Sequence, residues 1–321
     1  MKVVITDYEY PNIDQERAII TGSGAELAAF QVKDEEGLIE IVRDADAVVV
    51  QYANITPKVI KAMEHCKMII KYGIGVNNID SMAATEKGIY ICNVPDYGID
   101  EVSNHAIAMM LALAKKLPIV TKSLRGGEWG YLSTIPLFRL QDSTLGLVGL
   151  GRIPSLVAKK MSGFGMNILA YDPYAKEDYA RSQGVTLVDF DTLIERSDFV
   201  SVHCPQTEET THLFNKEVFT RMKKTAFLIN TARGPIVDQT ALIEALKSGE
   251  IAGAGLDVFE QEPIEKDSEL LKMDNVIATP HCAWYSEQAI TTLQRKIAEE
   301  VINVLKGNKP FNCTNKVALG L

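Results

Sequence analysis

The sequence predicts an α/β protein made of two doubly wound domains, each a parallel sheet with crossover helices. Three observations predict it. A length of 321 residues suits about two domains of ordinary size. Short β-branched runs alternate with helix-period segments, the pattern of strands joined by crossover helices. That alternation occurs twice, on either side of an interruption.

The first series consists of VVIT, AAF, AVVV, MIIK and IYIC, separated by stretches such as Pro57 to Glu64. The second consists of LGLVG, NILAY, VTLV, FVSVH, AFLIN, GAGLDV and NVIAT. Between them lie the apolar, helix-length segment Ile99 to Leu117 and the stretch RGGEWGYL, which breaks any regular periodicity. A hinge is expected near Pro95 to Gly98. After His281 one amphipathic helix remains, with Ile290, Leu293, Ile297, Val301 and Leu305 on one stripe, ending near Gly307. One helix cannot form a domain, so it is expected to return to the first, giving two chain crossings and a cleft between the domains.

Composition narrows the function. The chain is 46% hydrophobic and 23% charged, within the ordinary globular range. Lys and Arg number 33 against 42 acidic residues, and a net charge of -9 without any basic run argues against a nucleic-acid partner. The five cysteines Cys66, Cys92, Cys204, Cys282 and Cys313 are widely spaced, with no CxxC, so neither a disulfide framework nor a zinc knuckle is expected. His65, His105, His203 and His212 also lack metal-ligand spacing, and no metal is expected. The longest apolar run, Ala106 to Ala114, is too short to span a membrane, and the N-terminus lacks a signal-peptide core. A cytoplasmic location is the expectation.

STLGLVGLGRIPSLVAKKM reads as strand, glycine turn and helix, with Gly149 and Gly151 as the first two glycines of a dinucleotide fingerprint. Such a turn lets a pyrophosphate reach backbone N–H groups at a helix start. Asp172 ends the next strand and is placed to accept from an adenine-ribose diol, which favours NAD over NADP. Its alternative role is that of a turn aspartate before Pro173.

Three further segments carry unusual polar residues at strand ends: INTARGPIVD, GLDVFEQEP and ATPHCAWYSEQA. Carboxyl ends of strands in a doubly wound sheet converge on a ligand crevice. Arg233, after AFLIN, offers a planar guanidinium suited to a carboxylate. Asp238 reads as the N-cap of a helix ending at Gly249. His281, after Pro280, is expected on an extended turn, and Glu262 could raise its proton affinity to make a general acid. Taken singly, each has a structural alternative: a surface ion pair, a solvated loop acid or a hydrogen-bonded core histidine. Together, downstream of a nucleotide turn, they describe carbonyl reduction.

At this point the chain resembles the D-isomer-specific 2-hydroxyacid dehydrogenase family over nearly its whole length. YGIGVNNID, GLVGLGRI, HCPQTEETTHL, INTARGPIVD, LDVFEQEP and TPHCAWYSEQA occur in the family's order. NVPDYGIDEVSNHAIAMML and HCAWYSEQA look most like the branch that contains the C-terminal-binding-protein corepressors and their bacterial relatives.

The resemblance implies a flavodoxin-like substrate domain, residues 1–98 completed by 284–321, and a Rossmann NAD-binding domain, 99–283. It further implies that Arg233 holds the substrate's carboxylate and carbonyl, His281 exchanges the proton and Glu262 orients His281. The backbone at Ile74 and Gly75 would cradle the carboxylate, and Trp284 would line the substrate pocket. Arg152, Ile153 and Asp172 match pyrophosphate and ribose contacts, while Cys204, Thr231, Ala232 and Asp257 match positions beside the adenosine or nicotinamide. The stretch from Leu117 to Leu137 matches a dimerising region, so a homodimer is expected.

Pro154 departs from the usual third glycine, Asn77 from aspartate and Gln206 from leucine. The loop Gln51, Tyr52, Ala53 holds no arginine for a phosphate, so the expected substrate is a 2-oxo acid with a small or medium apolar side chain. Two alternatives stand beside this reading: a phosphoglycerate dehydrogenase, and a NAD(H)-sensing scaffold with vestigial activity.

Overall fold

A computed structural model describes residues 1–320 and divides into two units, Met1–Gly98 together with the stretch from Ser286 onward, and Ile99–Tyr285. In the first, β1 (Lys2–Ile5), α1 (Asp14–Gly22), β2 (Glu26–Ala29), α2 (Glu35–Val42), β3 (Ala47–Val50), α3 (Pro57–Ala62), β4 (Met68–Lys71), α4 (Ser81–Glu86) and β5 (Tyr90–Cys92) alternate along the chain. The sheet is parallel, in the order β2-β1-β3-β4-β5. Val3, Val4 and Ile5, and all of Ala47 to Val50, are fully buried, because helices cover both faces of a parallel sheet. Side chains start several helices: Asp34, Thr56 and Asp80 each accept from the backbone N–H three residues on.

The second unit opens with α5 (Ile99–Ala114) and α6 (Leu117–Arg125). The expected helix from Ile99 to Leu117 is therefore two, broken where Lys116 takes a left-handed φ of 49°. Then come β6 (Thr144–Val148), α7 (Arg152–Met161), β7 (Asn167–Tyr171), α8 (Glu177–Ser182), β8 (Thr186–Leu187), α9 (Phe190–Arg196), β9 (Phe199–Val202), α10 (Lys216–Arg221), β10 (Phe227–Asn230), α11 (Gln239–Ser248), β11 (Gly253–Leu256) and β12 (Val276–Ala278). The parallel sheet runs β12-β11-β10-β9-β6-β7-β8, with order reversal at β6 and β9, the doubly wound nucleotide-binding topology. Every run expected as a strand forms one. Asp238 caps α11 through Ala241 N, and Gly249 closes it at a φ of 72°.

The final helix, α12 (Glu287–Leu305), packs on α1 in the first unit. Leu293, Ile297, Val301 and Leu305 of its expected stripe are buried and Ile290 is half-buried. Ser286 caps it through Ala289 N, and the chain turns away at Gly307 with a φ of 88°.

Candidate active site

One row of paired residues places the site in the second unit. Tyr171 pairs with Val148, Val148 with Val202, Val202 with Asn230, Asn230 with Leu256, and Leu256 with Ala278. These residues end their strands, so Asp172, Gly149, Cys204, Thr231 to Arg233, Asp257 and His281 all leave the sheet at one edge. In a parallel sheet that is the carboxyl edge, where ligands bind.

At the reversal point the turn after β6 is tight. Gly149 has a φ of 96°, and a Cβ there would lie 3.0 Å from the Cys204 N, so a side chain is excluded by both conformation and space. Gly151 is the N-cap of α7 and supplies no capping side chain, leaving the helix start to backbone N–H groups of Arg152 and Ile153. Pro154 is the third residue of α7, where no intrahelical N–H partner exists, and the helix runs unbroken to Met161 with Pro154 buried. Asp172 accepts from Leu150 N through Oδ2 at 2.8 Å and from Tyr174 N through Oδ1 at 2.8 Å. It performs the turn role while each oxygen retains a lone pair for a further donor.

The turn after β10 is organised by Asn230, which the sequence reading did not single out. Its Oδ1 accepts from Ala232 N at 3.0 Å and its Nδ2 donates to Arg233 O at 2.9 Å, clasping Thr231 to Arg233. Asn230 is almost wholly buried, a placement that an asparagine at the end of AFLIN could have signalled. The Thr231 Oγ1 is buried and makes no hydrogen bond within the chain. Arg233 keeps an extended backbone and its Nη1 donates to Ala232 O at 2.6 Å. Gly234 touches the next loop: a Cβ there would sit 1.8 Å from Phe259 O.

That next loop carries Glu262. Its Oε1 accepts from Phe259 N at 3.0 Å, and its Oε2 lies 2.7 Å from His281 Nδ1. A carboxylate only accepts, so Nδ1 carries the hydrogen and Nε2 remains for exchange. Burial pushes the Glu262 carboxyl up, but the hydrogen bond and charge of His281, the Phe259 amide and the Arg233 guanidinium together hold it below the ordinary carboxylate value.

His281 itself is not extended as expected: its φ is 51°, in the left-handed region. The turn is over-determined from beneath. His281 N donates to Asp257 O at 2.8 Å, and the buried Asp257 carboxylate accepts from Thr279 Oγ1 at 2.5 Å, Cys282 N at 2.9 Å and Ala283 N at 2.9 Å. The visible contribution of Asp257 is thus to hold this turn. His105 joins the same network through Thr279 Oγ1 at 2.9 Å. Trp284 Nε1 donates to His281 O at 3.0 Å, fixing the indole beside the histidine turn.

His105, Asp257 and Cys282 bring ligand-type atoms within 4.8 Å of one another, a juxtaposition invisible to spacing because 177 positions separate the outer two. The His105 imidazole is already engaged with Thr279, and the Asp257 carboxylate with Thr279 and backbone amides. His203 is partly buried beside Ser201 Oγ at 2.9 Å, and burial pushes its imidazole down to about 3.

In the first unit, Ile74 and Gly75 follow β4, and Ile74 O accepts from Asn93 Nδ2 at 2.7 Å. Lys33 Nζ and Lys71 Nζ each lie 5.3 Å from the centroid of the Tyr52 ring. The 51–53 loop holds no arginine, yet the fold supplies it with two cations from distant positions.

A family model described as D-isomer specific 2-hydroxyacid dehydrogenase, NAD binding domain, matches residues 107–283. The chain belongs to this family. It is 42% identical over 284 residues to a glyoxylate reductase of Korarchaeum cryptofilum, covering 87% of this chain and 85% of that protein. It is also 42% identical over 318 residues to a D-3-phosphoglycerate dehydrogenase of Methanocaldococcus jannaschii, across 98% of this chain but only 59% of that protein. The crystal structure of a D-lactate dehydrogenase from Aquifex aeolicus, complexed with NAD and lactic acid, superposes with a TM-score of 0.87 at 31% identity, covering 95% of this chain and 96% of that one.

As a D-2-hydroxyacid dehydrogenase family member, the chain has NAD as its cofactor, and the second unit fits it. The tight, side-chain-free turn at Gly149, the start of α7 without a capping side chain and the unpartnered Thr231 hydroxyl lie along one sheet edge. Among the described residues, no helix is long and apolar enough to cross a membrane.

Proposed function

We propose that the chain interconverts a 2-oxo acid and the corresponding D-2-hydroxy acid, with Arg233, Glu262 and His281 as the catalytic set. The observation that carries this reading is the 2.7 Å pair between His281 Nδ1 and Glu262 Oε2, with the Arg233 segment packed against the same loop. NAD, when bound, supplies the hydride chemistry. Gly149, Gly151, Arg152 and Ile153 would hold its pyrophosphate, Asp172 its adenine ribose, and Cys204, Thr231 and Ala232 would flank its rings, with Asp257 behind them.

Arg233 binds the substrate carboxylate and the carbonyl oxygen, and its charge matters most as negative charge grows on that oxygen. His281 delivers the proton from Nε2 to the same oxygen in reduction and removes it in oxidation. Glu262 keeps Nδ1 protonated and the ring fixed, and stabilises the imidazolium. The substrate contacts of Ile74, Gly75 and Trp284 rest on the family resemblance alone.

The substrate expected is a 2-oxo acid with a small or medium apolar side chain, in keeping with the glyoxylate reductase relative. A second reading, 3-phosphohydroxypyruvate as substrate, draws on the phosphoglycerate dehydrogenase relative and on Lys33 and Lys71 beside Tyr52. Purified protein, NADH and a panel of 2-oxo acids with and without a phosphate separate the two. Turnover confined to the phosphorylated acid selects the second reading, and no turnover with any acid selects the scaffold. Arg233→Ala should lower kcat/KM by orders of magnitude while NADH still binds, and normal rates in that variant would remove Arg233 from the mechanism. The exposed aromatic stretch around Trp129, itself 92% exposed, supports a homodimer; a monomeric mass in light scattering would rule it out.

A further inference from the structure

Five thiols are present and none is bonded to another. Two are neighbours. Cys92 ends β5, the edge strand of the first unit's sheet, and Cys313 lies opposite it as an antiparallel bridge partner. The pairing type follows from the hydrogen bonds around it: Thr314 N donates to Ile91 O at 2.8 Å, one residue beyond each cysteine. This is the non-hydrogen-bonded site of an antiparallel pair, where Cα atoms stand about 4.5 Å apart and side chains face each other. That separation lies within the range a disulfide spans, about 4.4–6.8 Å.

The C-terminal strap that carries Cys313 is held firmly. Asn315 accepts from Ile91 N at 3.0 Å and donates to Ile89 O at 3.0 Å and Thr85 Oγ1 at 2.9 Å. Glu300 Oε1 accepts from Phe311 N at 2.6 Å. A strap held in this register keeps the two cysteines at a pair type whose usual Cα separation a disulfide can span. Their exposure differs: Cys92 is fully buried, while Cys313 is partly exposed in a cavity of about 420 Å³ lined also by Asn93, Lys309, Phe311 and Lys316.

We propose that Cys92 and Cys313 form a peroxide-responsive thiol pair, Cys313 being the attacked thiol at the cavity and Cys92 the buried resolving thiol. In the first step the Cys313 thiolate attacks one peroxide oxygen; an S–O bond forms, the O–O bond breaks, and hydroxide leaves and takes up the thiol's proton as water. The Cys92 sulfur then attacks the Cys313 sulfur. An S–S bond forms, the S–O bond breaks, and the leaving oxygen departs as a second water with the Cys92 proton. Two thiols are oxidised and one peroxide is reduced to two waters. The product staples the strap to the sheet edge.

The environments select these two thiols. The Cys92–Cys313 hydrogen bond lowers the Cys313 thiol against the opposing effect of burial and, together with burial, raises that of Cys92, whereas burial pushes Cys66 up to about 12 and Cys204 up to about 11. Burial and the neighbouring Asp257 raise Cys282 as well. Lys309 and Lys316 line the same cavity, while the Glu300 carboxylate acts against ionisation of Cys313.

The test is titration of the whole protein with hydrogen peroxide near pH 7.5, followed by thiol counting in denaturant and tryptic mass spectrometry. The accessible thiol count should fall from five to three and return to five with dithiothreitol, and peptides 88–115 and 307–316 should be found joined. Cys92→Ser should instead accumulate a sulfenic acid on Cys313 that dimedone traps, and Cys313→Ser should keep its four thiols at the same peroxide dose. Five thiols remaining in the unsubstituted protein, a bridge to any other cysteine, or Cys313 passing to the sulfinic acid without a bridge would overturn the proposal. The unsubstituted protein supplies the deciding count if a variant fails to fold.

Discussion

Gly234→Ala tests the link between packing and chemistry most directly. The added Cβ would lie 1.8 Å from Phe259 O and 1.9 Å from its carbonyl carbon, whereas an ordinary carbon–oxygen contact is about 3.3 Å. The Arg233 turn and the Glu262 loop must therefore separate by about 1.5 Å. Overpacking of this kind costs about 1–3 kcal/mol in stability. A misplacement of about 1 Å at reacting groups costs roughly 100-fold in rate, so kcat/KM for a 2-oxo acid should fall at least about 100-fold, or about 2.7 kcal/mol.

Gly253→Ala is the matched control. Its Cβ would lie 2.4 Å from Asn275 O, at the amino end of β11, away from the edge that carries the candidate catalytic residues. It should destabilise comparably, while the folded fraction keeps kcat/KM within about threefold. Steady-state kinetics well below each variant's melting temperature, with NADH affinity measured in parallel, separates the two effects. If Gly234→Ala stays within about threefold of the parent, the close approach of these loops has no bearing on catalysis.

Glu262→Gln retains the shape but removes a charge-assisted hydrogen bond worth about 1.5–3 kcal/mol, so kcat/KM should drop about 10- to 150-fold with KM for NADH unchanged. Because Glu262 is held below the ordinary carboxylate value, its support of His281 persists from neutral pH into the acid range and is lost only as pH falls through that lowered folded value; a parent advantage over the variant that already disappears on acidification from pH 7 to 6 would contradict this. His203, pushed down to about 3, binds fewer protons folded than unfolded between there and about 6.5, so stability decreases as pH is lowered through that window, by up to about 1.4 kcal/mol per unit. Urea midpoints at pH 7.5 and 5.5 should show a loss that His203→Gln diminishes, and an unchanged pH dependence would refute the assignment. Asp172→Asn leaves one acceptor oxygen for two backbone donors, so it should cost about 1 kcal/mol of stability as well as weaken NADH binding relative to NADPH; fluorescence titrations showing no change in the NADH to NADPH ratio would leave Asp172 with the turn role only.

The strands were legible because buried parallel strands are short β-branched runs, and AVVV and MIIK are little else. Gly149, Gly151 and Asp172 were legible because strand, turn and helix follow one another locally. What spacing could not show was how distant polar groups divide the work. Asn230 sits inside an apolar run and looked like its end; only the fold reveals it as the clasp of Thr231 to Arg233. Asp257 read as a residue beside the cofactor, but its carboxylate meets Thr279, Cys282 and Ala283, which a sequence cannot align with it. The left-handed φ of His281 was not legible: histidine is enriched there along with asparagine and aspartate, but the region remains uncommon for any residue other than glycine, and the preceding Pro280 pointed to an extended turn. Cys92 and Cys313 were unremarkable as spacings for a similar reason: 220 residues lie between them, and an edge-strand bridge brings them together.

Strand register explains how the candidate catalytic groups come to one edge of the sheet. Asn230, Leu256 and Ala278 are cross-strand partners, so β10, β11 and β12 end level. From that level, three steps reach Arg233, one step reaches Asp257 and three steps reach His281. Neighbouring strands stand about 4.8 Å apart. Loops that leave level, adjacent strands start close together, and here two of the three are pinned by a buried polar residue at or just past a strand end: Asn230 for the first, Asp257 for the third. Glu262 then needs only the short loop from β11 to reach His281, and the missing side chain at Gly234 lets that loop close on Arg233. A one-residue slip of β10 against β11 would move Arg233 by about 3.3 Å and invert every β10 side chain, so selection on the core and selection on the candidate site act on the same register.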